Sequence, residues 1–589
     1  MLASHFQYFQ DKGRSMDQPQ NKPFPRNFVP PQFDPRDLGQ IDALCRSLLD
    51  RPFTSAAELE AWLGDVSELI SVIDEFGARR YIDKSCNTDD PEKEKAFLYF
   101  AEHIDPHVKP LAFALQKKFL ASPWRSQLSS ARLQMLAARW QAEVEIFRDA
   151  NVPVEVQVTK FVNEYDKLCG AMTADFRGKE YTLQQLTRFT EEPDRATRRD
   201  AWETATNRRL ADREAIDEIF DHLLLLRSTI AQNAGMRNYR EYCWKSLKRF
   251  DYTPDDCLQF SDAIAKTCVP VVEALDRQRA ADLKLTRLRP WDLNVDPHNR
   301  PPLRPFVETE IDGFVSKTSA IFGRLNPRLK DDFESLRSSN HLDLASRKGK
   351  QPGGYQYTLE EVREPFIFMN AAGLQRDVEV LLHEAGHAFH ALASRDEPLV
   401  FLRSAPIEFC EVASMSMELL GSDHFDIFYA DPSSAARAKR TLIEGVIRIL
   451  PWIATIDSFQ HWLYTTPEAG LEARTTEWLR LLDRFGSELD WSGYETARAA
   501  SWQRQLHLFH APFYYIEYGI AQLGALQLWM KSRVDPRGAL ANYRAALKLG
   551  GTRPLPELFA AAGIRFDFSQ RTLGPLMDAM MEELATLPT

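Results

Sequence analysis

A chain of 589 residues with 44 % hydrophobic and 27 % charged residues has enough apolar material for a sizeable core and reads as an ordinary globular protein. Its formal net charge is −11 and its pI about 5.7; with no basic cluster interleaved with aromatics, nucleic acid is excluded as the main partner. No apolar run of about 18 residues occurs, so no membrane-spanning helix is expected. The seven cysteines, Cys45, Cys86, Cys169, Cys243, Cys257, Cys268 and Cys410, are scattered and include no Cys-x-x-Cys. An odd, scattered set fits isolated core thiols in a reducing compartment better than a disulfide framework. Met1 to Pro35 lacks an apolar signal core of about 7–15 residues, so the cytoplasm is the expected location.

In chain order, residues 1–36 are polar and dotted with Pro23, Pro25, Pro30, Pro31 and Pro35, which predicts an irregular arm. Helices then dominate. Ser55-x-x-Glu58 is a capping-box pattern, and Leu59, Trp62, Leu63, Val66, Leu69, Ile70 and Ile73 follow at helical spacing. Amphipathic stretches cover about 92–121, 124–150, 182–190, 193–234 and 254–284. The prolines of 286–308 form a connector and the best candidate boundary between an N-terminal helical half (37–300) and a C-terminal half (301–589). A helix is expected at about 308–323. A glycine turn at 348–355 precedes Pro365-Phe366-Ile367-Phe368-Met369-Asn370, a short strand that could offer its edge to an extended peptide or lie buried in the core.

The segment Leu381-Leu382-His383-Glu384-Ala385-Gly386-His387-Ala388-Phe389-His390 carries the chemistry. Its His-Glu-x-x-His pattern is the two-histidine zinc motif of metallopeptidases, and chance gives on the order of 0.02 such matches in a chain of this length and histidine content. Positions i and i+4 lie on one helix face, about 6 Å apart along the axis. His383 and His387 can therefore share one cation and leave its other positions open. Glu384 borders the same site without filling a ligand position, as a base toward water requires. The flanking residues are apolar, so both imidazoles are expected to be buried and in need of partners. Gly386 costs about 1 kcal/mol of helix stability relative to alanine, a cost that makes sense where another backbone or a substrate comes close. Asp377 either orients a ligand histidine or caps the helix start.

A catalytic zinc takes three protein ligands and keeps a place for water. A second helical stretch, Ile407 to Glu418, offers Glu411, then Glu418 and Glu408, as the third. Further on, Tyr515 and Tyr518 lie three apart and share a face if their stretch is helical. That aromatic stretch, His507 to Gly519, reads equally well as core.

His383-Glu384-x-Gly386-His387-x-x-His390 with Glu411-x-x-Ser414-x-x-x-Glu418 resembles the thimet oligopeptidase/oligoendopeptidase F family of zinc peptidases, the oligoendopeptidase F branch most of all. The Gly353-Gly354-Tyr355 turn and the strand after it are similar too. The resemblance spans roughly 180–580 and is specific between 348 and 420. It implies a mainly α fold, a helical bowl with a deep channel of the gluzincin type, closed by N-terminal helices, with a small β element beside the metal helix. It implies one Zn²⁺ on His383, His387 and Glu411, Glu384 as general base, and His507, Tyr515 and Tyr518 facing substrate. His510 is a weaker substitute for His507. Where the thimet branch has a further tyrosine in a glycine-rich loop, this chain has Ala511-Pro512-Phe513. The expected activity is endopeptidase cleavage of short unfolded oligopeptides by a monomer or small homo-oligomer. A helical metallocarboxypeptidase and a non-catalytic peptide-binding protein are the alternatives.

Overall fold

The computed structural model describes residues 24–347, 349–351 and 353–588. Most of the arm expected at 1–36, together with Lys348 and Pro352 of the glycine turn, lies outside them; residues 24–36 are irregular, as their prolines require. The chain is mainly α-helical, with five short strands among the described residues.

The helix Ala56–Cys86 starts as its sequence dictates. The Ser55 hydroxyl accepts the Glu58 N–H, and the Glu58 carboxylate accepts the Thr54 N–H and hydroxyl. Its apolar face, with Leu59, Trp62, Leu63, Val66, Leu69 and Ile73, is buried in an N-terminal core that runs from Val29 to Trp140 and also takes in Leu399 and Leu402. A second, larger core runs from Tyr165 to Leu584. Phe260 and Phe322 both belong to it, so the proline-rich connector at 286–308 is not a boundary between cores. The division falls near residue 150 instead, because the helices on both sides of the connector bury their faces against the same C-terminal elements.

Two stretches differ from the periodicity reading. A helix, Val152–Gly170, follows the one expected at 124–150. An antiparallel pair, β1 (Thr173–Phe176) and β2 (Lys179–Thr182), turns through Arg177 and Gly178, both at positive φ (56° and 76°).

The site rests on a three-stranded sheet and two helices. β3 (Leu342–Ala345) is parallel and β4 (Tyr355–Leu359) antiparallel to β5 (Glu364–Ala371), in the order β3-β5-β4. β5, the strand expected at 365–370, is therefore paired on both sides and has no free edge. Its near-continuous apolar run reflects burial on both faces. The edge beside the metal motif belongs to β4. Buried Lys350 closes the turn before β4 by donating to the Asp343, Ala345 and Met369 carbonyls and pairing with the Asp343 carboxylate.

After β5 comes the histidine helix, Gln375–Ser394, then the glutamate helix, Ile407–Ser422. They touch at Gly386. A Cβ built there would stand 2.5 Å from the Ser414 Cα and 2.6 Å from the Ala413 carbonyl oxygen, closer than atoms pack. On its other side the glutamate helix meets Gly524 of the helix Tyr515–Val534, where a Cβ would stand 2.7 Å from Val412 Cγ2. Tyr543 pins the same region by donating to the Ala413 carbonyl at 2.9 Å.

Alanine exceeds glycine in helix propensity by about 1 kcal/mol, so Gly386→Ala in an open helix would stabilise. Here the methyl group must push two backbones apart, and overpacking of this kind costs about 1–3 kcal/mol. Gly386→Ala should lower the denaturant midpoint and loosen divalent-metal binding together. An unchanged or raised midpoint would show that the two helices are not in backbone contact.

Candidate metal centre

His383 and His387 stand one turn apart on the histidine helix, with Nε2 atoms 3.2 Å from each other. Glu411, projected from the glutamate helix across the Gly386 contact, places Oε2 3.4 Å from the first Nε2 and 3.8 Å from the second. Ligand atoms around one tetrahedral zinc stand about 3 to 4 Å apart, so these three donors fit one divalent ion. Glu408, the weakest candidate for third ligand, points elsewhere: it accepts the Tyr252 hydroxyl at 2.7 Å and lies 4.0 Å from Arg249.

A ring of carboxylates sets the electrostatics. His383 donates Nδ1–H to Glu418 at 2.7 Å, which fixes the ring and leaves Nε2 facing Glu411. Burial alone would lower the His383 pKa, but the Glu418 partner, with Glu411 and Glu384 behind it, holds it up at about 9. A field that stabilises a proton between these groups stabilises a divalent cation in its place. Burial, then the charge on His383, pushes His387 down to about 3, so it is a neutral imidazole with a lone pair to give. Arg376 braces the outer side, 3.0 Å from Glu379 and 3.9 Å from Glu418. Asp377 caps the start of the histidine helix, accepting the Ala372 and Leu374 N–H groups at 2.7 and 2.9 Å.

Glu384 is buried, and burial raises its carboxyl to about 7. The nearby backbone N–H of Gln356 on β4 partly offsets that rise, so the base stands beside the sheet edge. Gln356, Thr358, Glu360, His387, Glu411 and Tyr514 all line one cavity of about 270 Å³.

The late aromatic segment closes the site differently from its three-residue spacing. Tyr514, not singled out from the sequence, brings its hydroxyl within 3.4 Å of Glu411 Oε1. Tyr518, one turn later, lies with its ring 5.2 Å from Tyr514. A separation of four marks a shared face as well as three does, and the Tyr514–Tyr518 pair was the available signal. Tyr515 is buried, with its ring 4.9 Å from His507. His507 lies 5.9 Å, ring to ring, from both Tyr514 and Tyr518. Trp452 donates to Gln505 Oε1 at 3.1 Å, so the Gln505 amide nitrogen faces His507 Nδ1 at 2.8 Å. That fixes the tautomer: Nδ1 accepts, and Nε2 carries a proton it can donate. His510 pairs with Asp166 at 2.7 Å, away from this group.

Tyr514 is aimed by strain. Phe513 sits at φ +66°, rare for an aromatic residue. Its N–H is held by Gln460 Oε1, and its carbonyl accepts from Arg249, itself paired with Glu517 at 2.7 Å.

Fold and donor set together define a helical metallopeptidase. Residues 188–576 match the model of peptidase family M3, and residues 28–147 match the peptidase M3 N-terminal domain. This chain belongs to peptidase family M3. It is similar to an oligoendopeptidase F homolog of Borreliella burgdorferi, 24 % identical over 231 residues; that match covers 38 % of this chain and 38 % of the relative's length. Among solved structures, PZ peptidase A with an inhibitor superposes with a TM-score of 0.87 at 27 % identity, covering 95 % of this chain and 99 % of the other. A structure named for oligoendopeptidase F from Bacillus anthracis gives 0.82 at 25 % identity over 96 % of this chain and 98 % of its own.

Glu418 should matter to the metal without touching it. Groups that orient a ligand histidine typically contribute about 10–100-fold to metal affinity. Glu418→Ala should weaken divalent-metal affinity by about that factor in a chelator competition titration. Affinity equal to wild type would remove Glu418 from the site.

Proposed function

We propose that the chain is a zinc-dependent endopeptidase that hydrolyses short unfolded oligopeptides, with Glu384 as the general base. The observation that carries this reading is the convergence of His383, His387 and Glu411 on one point beside the buried Glu384. When bound there, a zinc ion supplies Lewis acidity at the scissile carbonyl and makes water a nucleophile near neutral pH.

The remaining work falls to side chains. His383, His387 and Glu411 would hold the ion, and Glu418 would keep His383 in the binding tautomer. An extended substrate would lie along the edge of β4 that β5 leaves open, forming main-chain hydrogen bonds regardless of its sequence. A folded protein cannot present such an extended strand to the β4 edge, which supports the restriction to short unfolded peptides. Glu384 would take the proton of the attacking water and pass it to the leaving amine. Tyr514 and Tyr518 hydroxyls and the His507 Nε2–H would donate to the oxyanion, while Gln505 and the Tyr515 ring would steady His507. The N-terminal helices would close over the channel; Tyr81 and Ser85 of the helix Ala56–Cys86 already rest on Tyr355 of β4. No described helix is long and apolar enough to cross a membrane. All seven cysteines are free, which supports a reducing compartment, the cytoplasm, for an enzyme acting as a monomer or small homo-oligomer.

Glu384→Gln should keep its metal and lose about 10²–10⁴-fold in kcat, the usual contribution of a positioned acid–base group. Activity near wild type would remove Glu384 from the mechanism. Tyr514→Phe should lower kcat about 10²–10³-fold, the cost of one oxyanion donor, with KM little changed. A change in KM alone would place Tyr514 in substrate binding only. Mass spectrometry of a peptide library blocked at both ends, after incubation with metal-loaded protein, tests the endopeptidase assignment. Internal cleavage is expected. No cleavage of the blocked library, with C-terminal trimming of an otherwise identical library left free at its C-termini, would make the enzyme a carboxypeptidase.

A further inference from the structure

A second cavity, of about 560 Å³, lies apart from the one that holds the metal donors. The helix Arg195–Ala211 gives it Trp202 and Arg209, the helix Pro432–Thr465 gives it Arg448 and Trp452, and the turn Ser501–Arg504 ends in it at Arg504. Four arginines line this cavity and no aspartate or glutamate does, in a chain with 84 acidic residues against 73 lysines and arginines. Two of the four are neutralised from outside the lining. Arg448 pairs with Asp276 at 2.5 Å, and Arg498 with Asp483 at 2.6 Å. Arg209 and Arg504 have no carboxylate and no hydrogen-bond acceptor among the described residues. What Arg504 meets instead is the Trp452 ring, whose centroid lies 5.5 Å from the guanidinium carbon. Burial, then the charge of Arg209, lowers the Arg504 pKa, and no carboxylate acts to hold it up. Both side chains are nevertheless solvent-accessible, as the lining of a cavity must be.

We propose that this cavity is a binding site for a carboxylate carried on a flat apolar body, with Arg209 and Arg504 as the groups that hold the anion. Two guanidinium groups that repel each other are relieved by an anion placed between them. Their planar forks match the two oxygens of a carboxylate. The rest of the ligand is specified by the walls. Trp202, Trp452 and Trp491 are all half-buried and line the cavity, and the Trp202 and Trp491 rings stand 6.1 Å apart. Aromatic walls of this kind take an aromatic or branched side chain. The volume lies within the range of about 300–1,000 Å³ usual for sites that enclose small organic ligands, far more than a bare halide would fill.

Two sources carry this chemistry: the C-terminal residue of a peptide, and a free amphipathic acid. The placement favours the first. Trp452 has one face toward Arg504 and donates its Nε1–H to Gln505, the residue that fixes His507. A single side chain therefore joins this cavity to a group that faces the metal centre, and a peptide end held here belongs to a chain passing nearby. That choice of source rests on the peptidase reading; the site itself does not, because its test uses binding and no turnover.

Calorimetric titration of the full-length protein with N-acetylphenylalanine and with its C-terminal amide tests the site. A carboxylate also suits a metal ion, so the titration is repeated on a variant with His383 and His387 both changed to Ala. The acid should bind one equivalent in both proteins, and the amide at least about tenfold more weakly, since it loses the charge-assisted hydrogen bonds. Arg504→Gln and Arg209→Gln should each weaken the acid about tenfold and leave the amide unchanged. Arg209 is exposed, so its variant keeps the test intact should Arg504→Gln fold poorly. An N-acetylated tetrapeptide ending in phenylalanine separates the sources: tighter binding than the single residue, with the same dependence on both arginines, assigns the site to peptide ends, and equal binding assigns it to free acids. Failure of the acid to bind, equal affinity for acid and amide, or affinity that survives both arginine substitutions would overturn the proposal. So would binding lost in the double histidine variant, which would put the carboxylate on the metal.

Discussion

Everything at this centre depends on two helix backbones meeting where a side chain would not fit. Gly386 lies between the two histidines, and opposite it stand Ala413 and Ser414, two and three residues after Glu411. Any larger residue at 386 would lift the glutamate helix away, and Glu411 with it. The helix-propensity penalty of glycine is thus exchanged for the approach that brings a third donor within 3.4 Å of His383. Gly524 and Tyr543 press the glutamate helix from its other side, so its position is fixed from two directions.

A second constraint is charge. Glu384, Glu411 and Glu418 crowd around one histidine pair within a largely apolar wall, and burial raises the first two above the ordinary carboxylate range. Such a cluster is self-repelling unless a cation sits among its members. The same crowding prepares Glu384 to accept a proton near neutral pH, since a base works best when its pKa lies near the working pH. Metal binding and base strength are therefore two consequences of one arrangement, and both follow from placing acidic side chains on helices that the core forces together.

Much of the centre is legible in the residues alone, and the reason is local. His383, Glu384 and His387 sit within one and a half helical turns, so spacing alone gathers them. Gly386 announces a close approach by its very presence in an apolar helix. Glu411 is less secure from residues alone, because Glu418 shares its face; the two divide the work, one facing the second ring nitrogen of His383 and the other its first. Tyr514 escapes because the start of its helix, at Tyr515, cannot be read to one residue, and because the positive φ of Phe513 that aims it is imposed by Arg249 and Gln460 from distant regions of the chain. The edge role of β4 escapes for a similar reason: strand order is a tertiary fact, and an apolar run such as β5 reads as strand without saying how many neighbours it has. The helix Val152–Gly170 buries only Tyr165 and leaves Val152 and Val156 about half exposed, so its apolar residues mark no core face to read.

The account stands or falls on where a metal ion sits. Anomalous X-ray diffraction across the zinc absorption edge, on crystals of zinc-reconstituted protein, locates it directly. The expected result is a peak bounded by the Nε2 atoms of His383 and His387 and the carboxylate of Glu411. Density at those three side chains with no anomalous peak between them, or a peak that excludes Glu411, would contradict it.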